Sequence, residues 1–502
     1  MPCHMSAHAR RAIPCVLVLT ALWFVSSPAR AAETARLEIT KKSLKSEKGV
    51  QIEAEAGRLL VPENRAAARS REIPVAFLRL KSLAAKPRAP LFFLQGGPGS
   101  RGVSERPSSL DFWVPFLRIS DVVLIDQRGT NDSNVVWRWK GEPPLSYFVS
   151  ADSAARHIAR MSQLALQAFR ERGVDLNGYT TVENADDLDA LRAALGMDSV
   201  SLLGFSYGTH LGICYMRRYP QRVESSILVG TEGPGETFKL PWTMDVAFQR
   251  LALLAANDAR ISKQVPDLVA LYDRVIAKLE RKPMLVPVPL PGGKDTAQVP
   301  VGPFGLRSIM RADIGDASDL PVFPRLLWSI DQGDPSVLAW FVNKRAGGAL
   351  GVHGMNAAMD VASGASPARF ALIAEQAKTS RFADVMNYPQ AEMTAAWNVA
   401  DLGEGFRAPL ISSVRTLFVS AELDCNTPPY QAEQLRWGMS NATHIIVANA
   451  GHEQTLFGND SAIPVLTDFL SGQDVRDRKI TYPPLKFIPL EGRDSSHPSV
   501  TR

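Results

Sequence analysis

Cysteine is scarce: four in 502 residues. No C-x-x-C pair and no histidine–cysteine cluster accompanies them, so cysteine is expected neither as nucleophile nor as metal ligand. Long apolar runs are also missing. Ile13–Val25 is the notable one, and it falls short of the roughly 18–20 residues that a membrane-crossing helix needs. Charge of one sign is not concentrated either. Lys and Arg number 56 against 51 Asp and Glu, and no five basic residues run together. A net charge of +5 spread in this way describes a solvated mixed surface, so no nucleic-acid partner is expected. Internal repeats are absent.

What is present is a globular balance, 45% hydrophobic and 21% charged. The length suits one large domain with an insertion, or two domains. At the N-terminus Arg10 and Arg11 precede Ile13–Val25, and Ala29-Arg30-Ala31 gives an A-x-A pattern. This is the layout of a secretory signal peptide cleaved after Ala31. The expected mature chain is exported, to a periplasm or beyond the cell, and has no membrane span. Pro14 beside Cys15, and the early position of Cys15, exclude a lipoprotein cysteine. Cys3 and Cys15 leave with the signal. Cys214 and Cys425 remain, a pair whose separation the sequence does not give.

Two alternating stretches between Gln51 and Ser82 predict antiparallel strands. After them, short and continuously apolar runs alternate with helical patterns: Ala89–Gln95, Asp121–Asp126, a helix over Thr180–Gly196, then Ser201–Ser206 and Ser225–Gly230. Such runs predict a mostly parallel sheet covered on both faces. The alternation stops at Gly230 and resumes with Val414–Asp424 and Thr443–His452. The expected organisation is a signal peptide 1–31, a first part of an α/β-hydrolase core 32–230, a large, mainly helical lid inserted at 231–408, the second part of the core 409–475, and a polar C-terminal tail 476–502 running over the surface. A Pro/Gly-rich excursion, "PMLVPVPLPGGKDTAQVPVGP", interrupts the lid.

The chemistry begins at Gly204-Phe205-Ser206-Tyr207-Gly208. A serine between two glycines, after an apolar strand and before a helix, is the pattern of a nucleophile elbow. Serine is a poor nucleophile at its free pKa and needs a base held by a carboxylate. His452 follows "ANAG" at the end of a strand and is the expected base. His444, inside a strand, and His210, on the helix of the serine, read as structural. Asp424, ending "TLFVSAEL", is the expected acid, and Glu422 is its rival. A tetrahedral oxyanion needs two N–H donors. Tyr207 supplies one. The loop Gly96-Gly97-Pro98-Gly99 supplies the other, and Gly97 is chosen over Gly96. Asp126 and Arg128 read as structural pins near the site. No metal or organic cofactor is expected.

Together "GGPGS", "DQRGT", "GFSYGTHLG", "ELDCNTP" and "AGH" resemble the prolyl aminopeptidase (proline iminopeptidase) and tripeptidyl aminopeptidase branch of the α/β-hydrolases. The resemblance covers roughly residues 50 to 230 and 409 to 470. It implies a serine peptidase that removes residues from free N-termini, with Ser206, Asp424 and His452 as triad and Gly97 and Tyr207 as oxyanion donors. Gln95 stands where the branch commonly has His. Tyr207 in place of Trp, and the large lid, resemble the longer tripeptidyl enzymes. An aminopeptidase of this kind needs a carboxylate for the substrate's ammonium, and Glu232 is the candidate, with lid carboxylates such as Glu392 as alternatives. The substrate is a peptide or, on the alternative reading, a small acyl ester cleaved by the same triad.

Overall fold

The computed structural model describes residues 36–133, 138–140, 146–289, 296–314, 319–346, 351–394, 397–457 and 460–492. The expected signal peptide, with Cys3 and Cys15, and residues 493–502 of the expected tail lie outside the described residues.

Nine strands form one sheet: β1 (Leu37–Lys45), β2 (Gln51–Pro62), β3 (Glu72–Leu80), β4 (Leu91–Leu94), β5 (Val122–Ile125), β6 (Val200–Phe205), β7 (Val223–Val229), β8 (Arg415–Ala421) and β9 (Ala442–Val447). Their spatial order is β1-β2-β3-β5-β4-β6-β7-β8-β9. β1 to β3 and the β3–β5 pair are antiparallel, and every other neighbouring pair is parallel. All residues of β4, β5 and β6 are buried. That is why these strands read as unbroken apolar runs: helices cover both faces, so no position faces water. Burying one such Leu, Val or Phe side chain contributes about 1.5–3 kcal/mol.

Because β4, β6, β7, β8 and β9 run in one direction, their C-terminal ends meet at one edge. Leu94 pairs with Gly204, which sets the glycine loop after β4 beside the turn after β6. The segments carrying Asp424 and His452 leave β8 and β9 at this edge too. Helices Thr181–Ala194 (α1) and Tyr207–Arg218 (α2) pack beside it. α1 begins with an N-cap in which the Thr180 side chain accepts from the Glu183 N–H, the usual way to satisfy an orphan donor of the first turn.

Between β7 and β8 the chain builds a second apolar cluster, mostly from helices. Two helices of this inserted stretch matter below, Pro303–Ile314 (α3) and Gly354–Ser363 (α4). The Pro/Gly-rich excursion is an antiparallel two-stranded ladder, Met284–Pro289 against Thr296–Val301. β1 has no counterpart among the expected elements. Its alternating burial is weak, and Lys41 and Lys45 are exposed, as suits a charged edge strand. The tail is more than a polar wrap. Ile480 and Tyr482 join the core cluster. Phe487, Ile488 and Leu490 join the cluster of the inserted helices, and Arg325 grips the carbonyls of Pro489 and Gly492 at 2.9 and 2.7 Å. Cys214 and Cys425 are buried free thiols, and burial pushes each up to about 12. Among the described residues no helix is long and apolar enough to cross a membrane.

Candidate active site

The turn that carries Ser206 accounts for its two glycines. Ser206 sits at φ 54° and ψ −125°, a backbone state that costs a non-glycine residue on the order of 1–3 kcal/mol. Close packing of β6, α2 and β4 holds it there. A Cβ on Gly208 meets the Leu94 carbonyl oxygen at 1.8 Å, and one on Gly204 meets the Gly208 carbonyl oxygen at 2.7 Å. The turn lifts Ser206 into the wall of a cavity of about 290 Å³.

His452 Nε2 lies 2.9 Å from Ser206 Oγ, and His452 Nδ1 lies 2.7 Å from Asp424 Oδ2. The carboxylate fixes the tautomer, because Nδ1–H must face it and leaves Nε2 to accept the serine proton. Asp424 is itself held on both oxygens. Oδ1 accepts the N–H groups of Asn426 (2.7 Å) and Thr427 (3.0 Å), and Oδ2 accepts the Thr427 hydroxyl at 2.6 Å. Burial alone drives the Asp424 carboxyl up. The charge of His452 and the hydrogen bonds from His452 and Thr427 outweigh it and hold the group below the usual carboxylate range. Burial likewise disfavours the imidazolium of His452, but the charge and hydrogen bond of Asp424 outweigh it and raise the imidazole above its ordinary value. The imidazole also packs on Phe205, with ring centroids 5.1 Å apart.

Gly97 adopts φ +117°, a region that side chains rarely enter. The Gly96 N–H is spent on Gln95 Oε1 at 2.9 Å. The N–H groups of Gly97 and Tyr207 donate to no acceptor among the described residues. Gln127 ties the loop down, accepting from the Gly99 N–H at 2.9 Å and donating to the Gln95 carbonyl at 2.7 Å. The Tyr207 side chain is buried, its hydroxyl 2.8 Å from Thr181 Oγ1, and burial raises the phenol.

Glu232 lines the same cavity as Ser206 and His452. Its Oε2 accepts from Lys239 Nζ at 2.6 Å, and Oε1 faces His210 Nδ1 at 3.9 Å. Burial pushes Glu232 up, but the charges of Lys239 and His210 outweigh it and hold the carboxyl below its usual range. Lys239, Asp360, Arg311 and Thr237 line this cavity as well, and sequence reasoning named none of them. Thr427 was missed too, although it stands three residues after Asp424.

The other candidates fall outside the cavity. Glu422 pairs with Arg250 and accepts from the Asn449 N–H. His444 bonds Glu433 at 2.5 Å and Ser420 at 2.9 Å. His210 is buried between the Gly233 carbonyl (3.2 Å) and Ser363 Oγ (3.1 Å). Glu392 lines a separate cavity with Asp384 and Tyr388. Arg128 is buried, donating to Asp187 and to the carbonyls of Glu63 and Gly178. Asp126 accepts from the N–H groups of Gly102, Val103 and Asp132. Among the described residues no cluster of His, Cys, Asp or Glu is arranged to hold a metal ion.

Two family profiles match the chain: the alpha/beta hydrolase fold over residues 89–282 and the TAP-like protein family over residues 380–479. The chain is 33% identical over 150 residues to a serine protease, Hip1, of Mycobacterium tuberculosis, a match that spans 28% of each chain. It is 29% identical over 253 residues to a tripeptidyl aminopeptidase of Streptomyces coelicolor, 46% of each chain. The chain thus spans less than half the length of these relatives. A thermophilic esterase from Thermogutta terrifontis superposes with a TM-score of 0.36 at 15% identity, covering 82% of this chain and 98% of the esterase. The chain has the alpha/beta hydrolase fold and is similar, over part of its length, to a serine protease and to the tripeptidyl aminopeptidases.

Proposed function

We propose that the chain is an exported serine aminopeptidase that releases N-terminal residues from peptides through an acyl-enzyme. The observation that carries this reading is the hydrogen-bonded series Ser206–His452–Asp424 in the wall of a small cavity that also holds buried carboxylates. In the proposed reaction His452 Nε2 takes the Ser206 proton as Oγ attacks the scissile carbonyl. Asp424 keeps the imidazole in the right tautomer and stabilises the imidazolium. The Gly97 and Tyr207 N–H groups, unspent on any described acceptor, receive the oxyanion. His452 then protonates the leaving amine. Water, deprotonated by the same imidazole, hydrolyses the acyl-enzyme and restores Ser206.

The small cavity supports an exopeptidase over an endopeptidase. A site of a few hundred Å³ with buried charge accommodates a short chain end, and an unpaired buried charge discriminates strongly between substrates. The test is kcat/KM on three substrates: a tripeptidyl arylamide with a free amine, its N-acetylated twin, and a short-chain p-nitrophenyl ester. The proposal expects the free amine to exceed its twin by about a hundredfold or more, because a twin that leaves a buried polar group unpaired is rejected more strongly than one that differs only in apolar bulk. Turnover of the ester alone, with neither arylamide cleaved, refutes the aminopeptidase and makes the site an esterase. Ser206→Ala serves as the blank.

A further inference from the structure

We propose that Asp360, on α4, is the carboxylate that receives the substrate's ammonium, while Glu232 serves to hold Lys239. This rests on the aminopeptidase reading and names the group that gives it specificity.

Glu232 is already spoken for. Lys239 Nζ sits 2.6 Å from its Oε2 and also donates to the Glu236 carbonyl at 3.0 Å. The backbone of Lys239 is pinned in turn by Asn387, which accepts from its N–H at 2.6 Å and donates to its carbonyl at 2.9 Å. An incoming ammonium would have to compete with a cation fixed on three sides. Asp360 differs. It lines the same cavity, is only 8% exposed, and forms no ion pair among the described residues. Among the described residues its side-chain hydrogen bond is to the Gln390 amide.

The cavity also holds unspent acceptors. Thr237 Oγ1 and Gln390 Oε1 are buried without a partner among the described residues, and both residues line the cavity with Asp360. Buried polar atoms without partners cost about 1–3 kcal/mol each, so their persistence asks for a ligand. A primary ammonium has three donors. Asp360, Gln390 and Thr237 offer three acceptors.

The charged or titratable groups bearing on Asp360 are Glu232 and Lys239 after β7, Arg311 on α3 and Tyr207 on α2. Arg311 donates to the Met386 carbonyl at 3.3 Å. Burial, then the negative charge of Glu232, pushes the Asp360 carboxyl up to about 8, against the smaller pulls of Lys239 and Arg311. The empty site therefore holds a proton at neutral pH. An ammonium replaces that proton, and the charge of the cavity stays the same. Binding of a free amine then releases one proton, so its affinity rises about tenfold per pH unit below pH 8. Above about 8 the substrate's own amine loses its charge, and the gain reverses. An N-acetylated substrate gains nothing from Asp360, while titration of His452 acts on both substrates alike. The ratio of their kcat/KM values isolates Asp360.

The experiment measures that ratio from pH 6 to 9 for wild type, Asp360→Asn and Glu232→Gln, each normalised to the sites titrated by a fluorophosphonate. The expected wild-type ratio climbs about tenfold per unit to a maximum near pH 8. Asp360→Asn is expected to lower it at least tenfold and flatten it, whereas Glu232→Gln keeps a climb but moves it to lower pH, because the charge that helps raise Asp360 is gone. A large wild-type ratio with no climb, or an Asp360→Asn ratio that still climbs, overturns the assignment and leaves the aminopeptidase standing. A wild-type ratio near one at every pH overturns the aminopeptidase reading itself. The wild-type profile decides the matter even if a variant does not fold.

Discussion

Replacing Asp424 with Asn changes one atom in size and shape hardly at all, yet the surroundings dictate a large effect. Asp424 Oδ1 accepts two backbone N–H groups, from Asn426 and Thr427, at 2.7 and 3.0 Å. In Asp424→Asn those donors claim the amide oxygen, since an NH₂ there would face two hydrogens. The NH₂ therefore takes the place of Oδ2, 2.7 Å from His452 Nδ1. It can only donate, so Nδ1 must accept and the ring proton moves to Nε2. Nε2–H then points at Ser206 Oγ and has no lone pair for the serine proton. The same exchange in a Ser-His-Asp protease of another fold lowers kcat about 10⁴-fold, or about 5 kcal/mol of barrier. The same loss is expected here. The backbone bonds to Asp424 survive, so the melting temperature should stay within a few degrees of wild type. The assay is kcat on the arylamide at pH 7.5, with thermal unfolding alongside. A folded Asp424→Asn protein with kcat within tenfold of wild type refutes the tautomer argument.

Three further outcomes follow from the same geometry. Thr427→Val removes the hydroxyl that donates to Asp424 at 2.6 Å. A hydrogen bond to a charged group contributes about 1.5–3 kcal/mol, so kcat should fall about ten- to a hundredfold; an unchanged kcat would detach Thr427 from the site. The base must be neutral to act, and Asp424 raises the His452 imidazole above 6.5. In the kcat/KM profile of the acetylated twin, activity should therefore be lost on acidification with a midpoint above pH 6.5, and a midpoint near 5.5 contradicts it. For stability the sign is opposite: the raised imidazole contributes below pH 6.5 and that contribution is lost as pH rises through its folded value. Gly208→Ala places a Cβ 1.8 Å from the Leu94 carbonyl oxygen. Overpacking of this kind costs about 1–3 kcal/mol or more, and an unchanged melting temperature would show that the strand and helix are not locked together.

Parts of this molecule were legible because single physical rules acted alone. β4, β5 and β6 are buried on both faces, so apolar runs named them. Ser206, Asp424 and His452 follow strands whose ends share an edge, and the parallel direction of those strands puts them together. Two glycines flank Ser206 because no side chain fits there. β1 was illegible for the opposite reason: an edge strand faces water on most of its surface, and Lys41, Lys42 and Lys45 hide its pattern. The ladder Met284–Pro289 against Thr296–Val301 was hidden by Pro287, Pro289 and Pro300, residues that ordinarily break strands and here lie in a two-stranded ribbon, where prolines are tolerated. Asp360 carries no local signal at all. It is one acidic residue in a helical stretch, and only the packing of α4 beside the loop after β7 turns it toward Glu232 and Lys239.

Segment 480–490 closes two apolar clusters at once. Ile480 and Tyr482 complete the interior beside the sheet, and Phe487, Ile488 and Leu490 complete that of the inserted helices. One short stretch of chain therefore makes the stability of the two interiors interdependent: a cavity cut at Phe487 or Tyr482 weakens the shared clasp, and local opening of the segment would loosen both sides together.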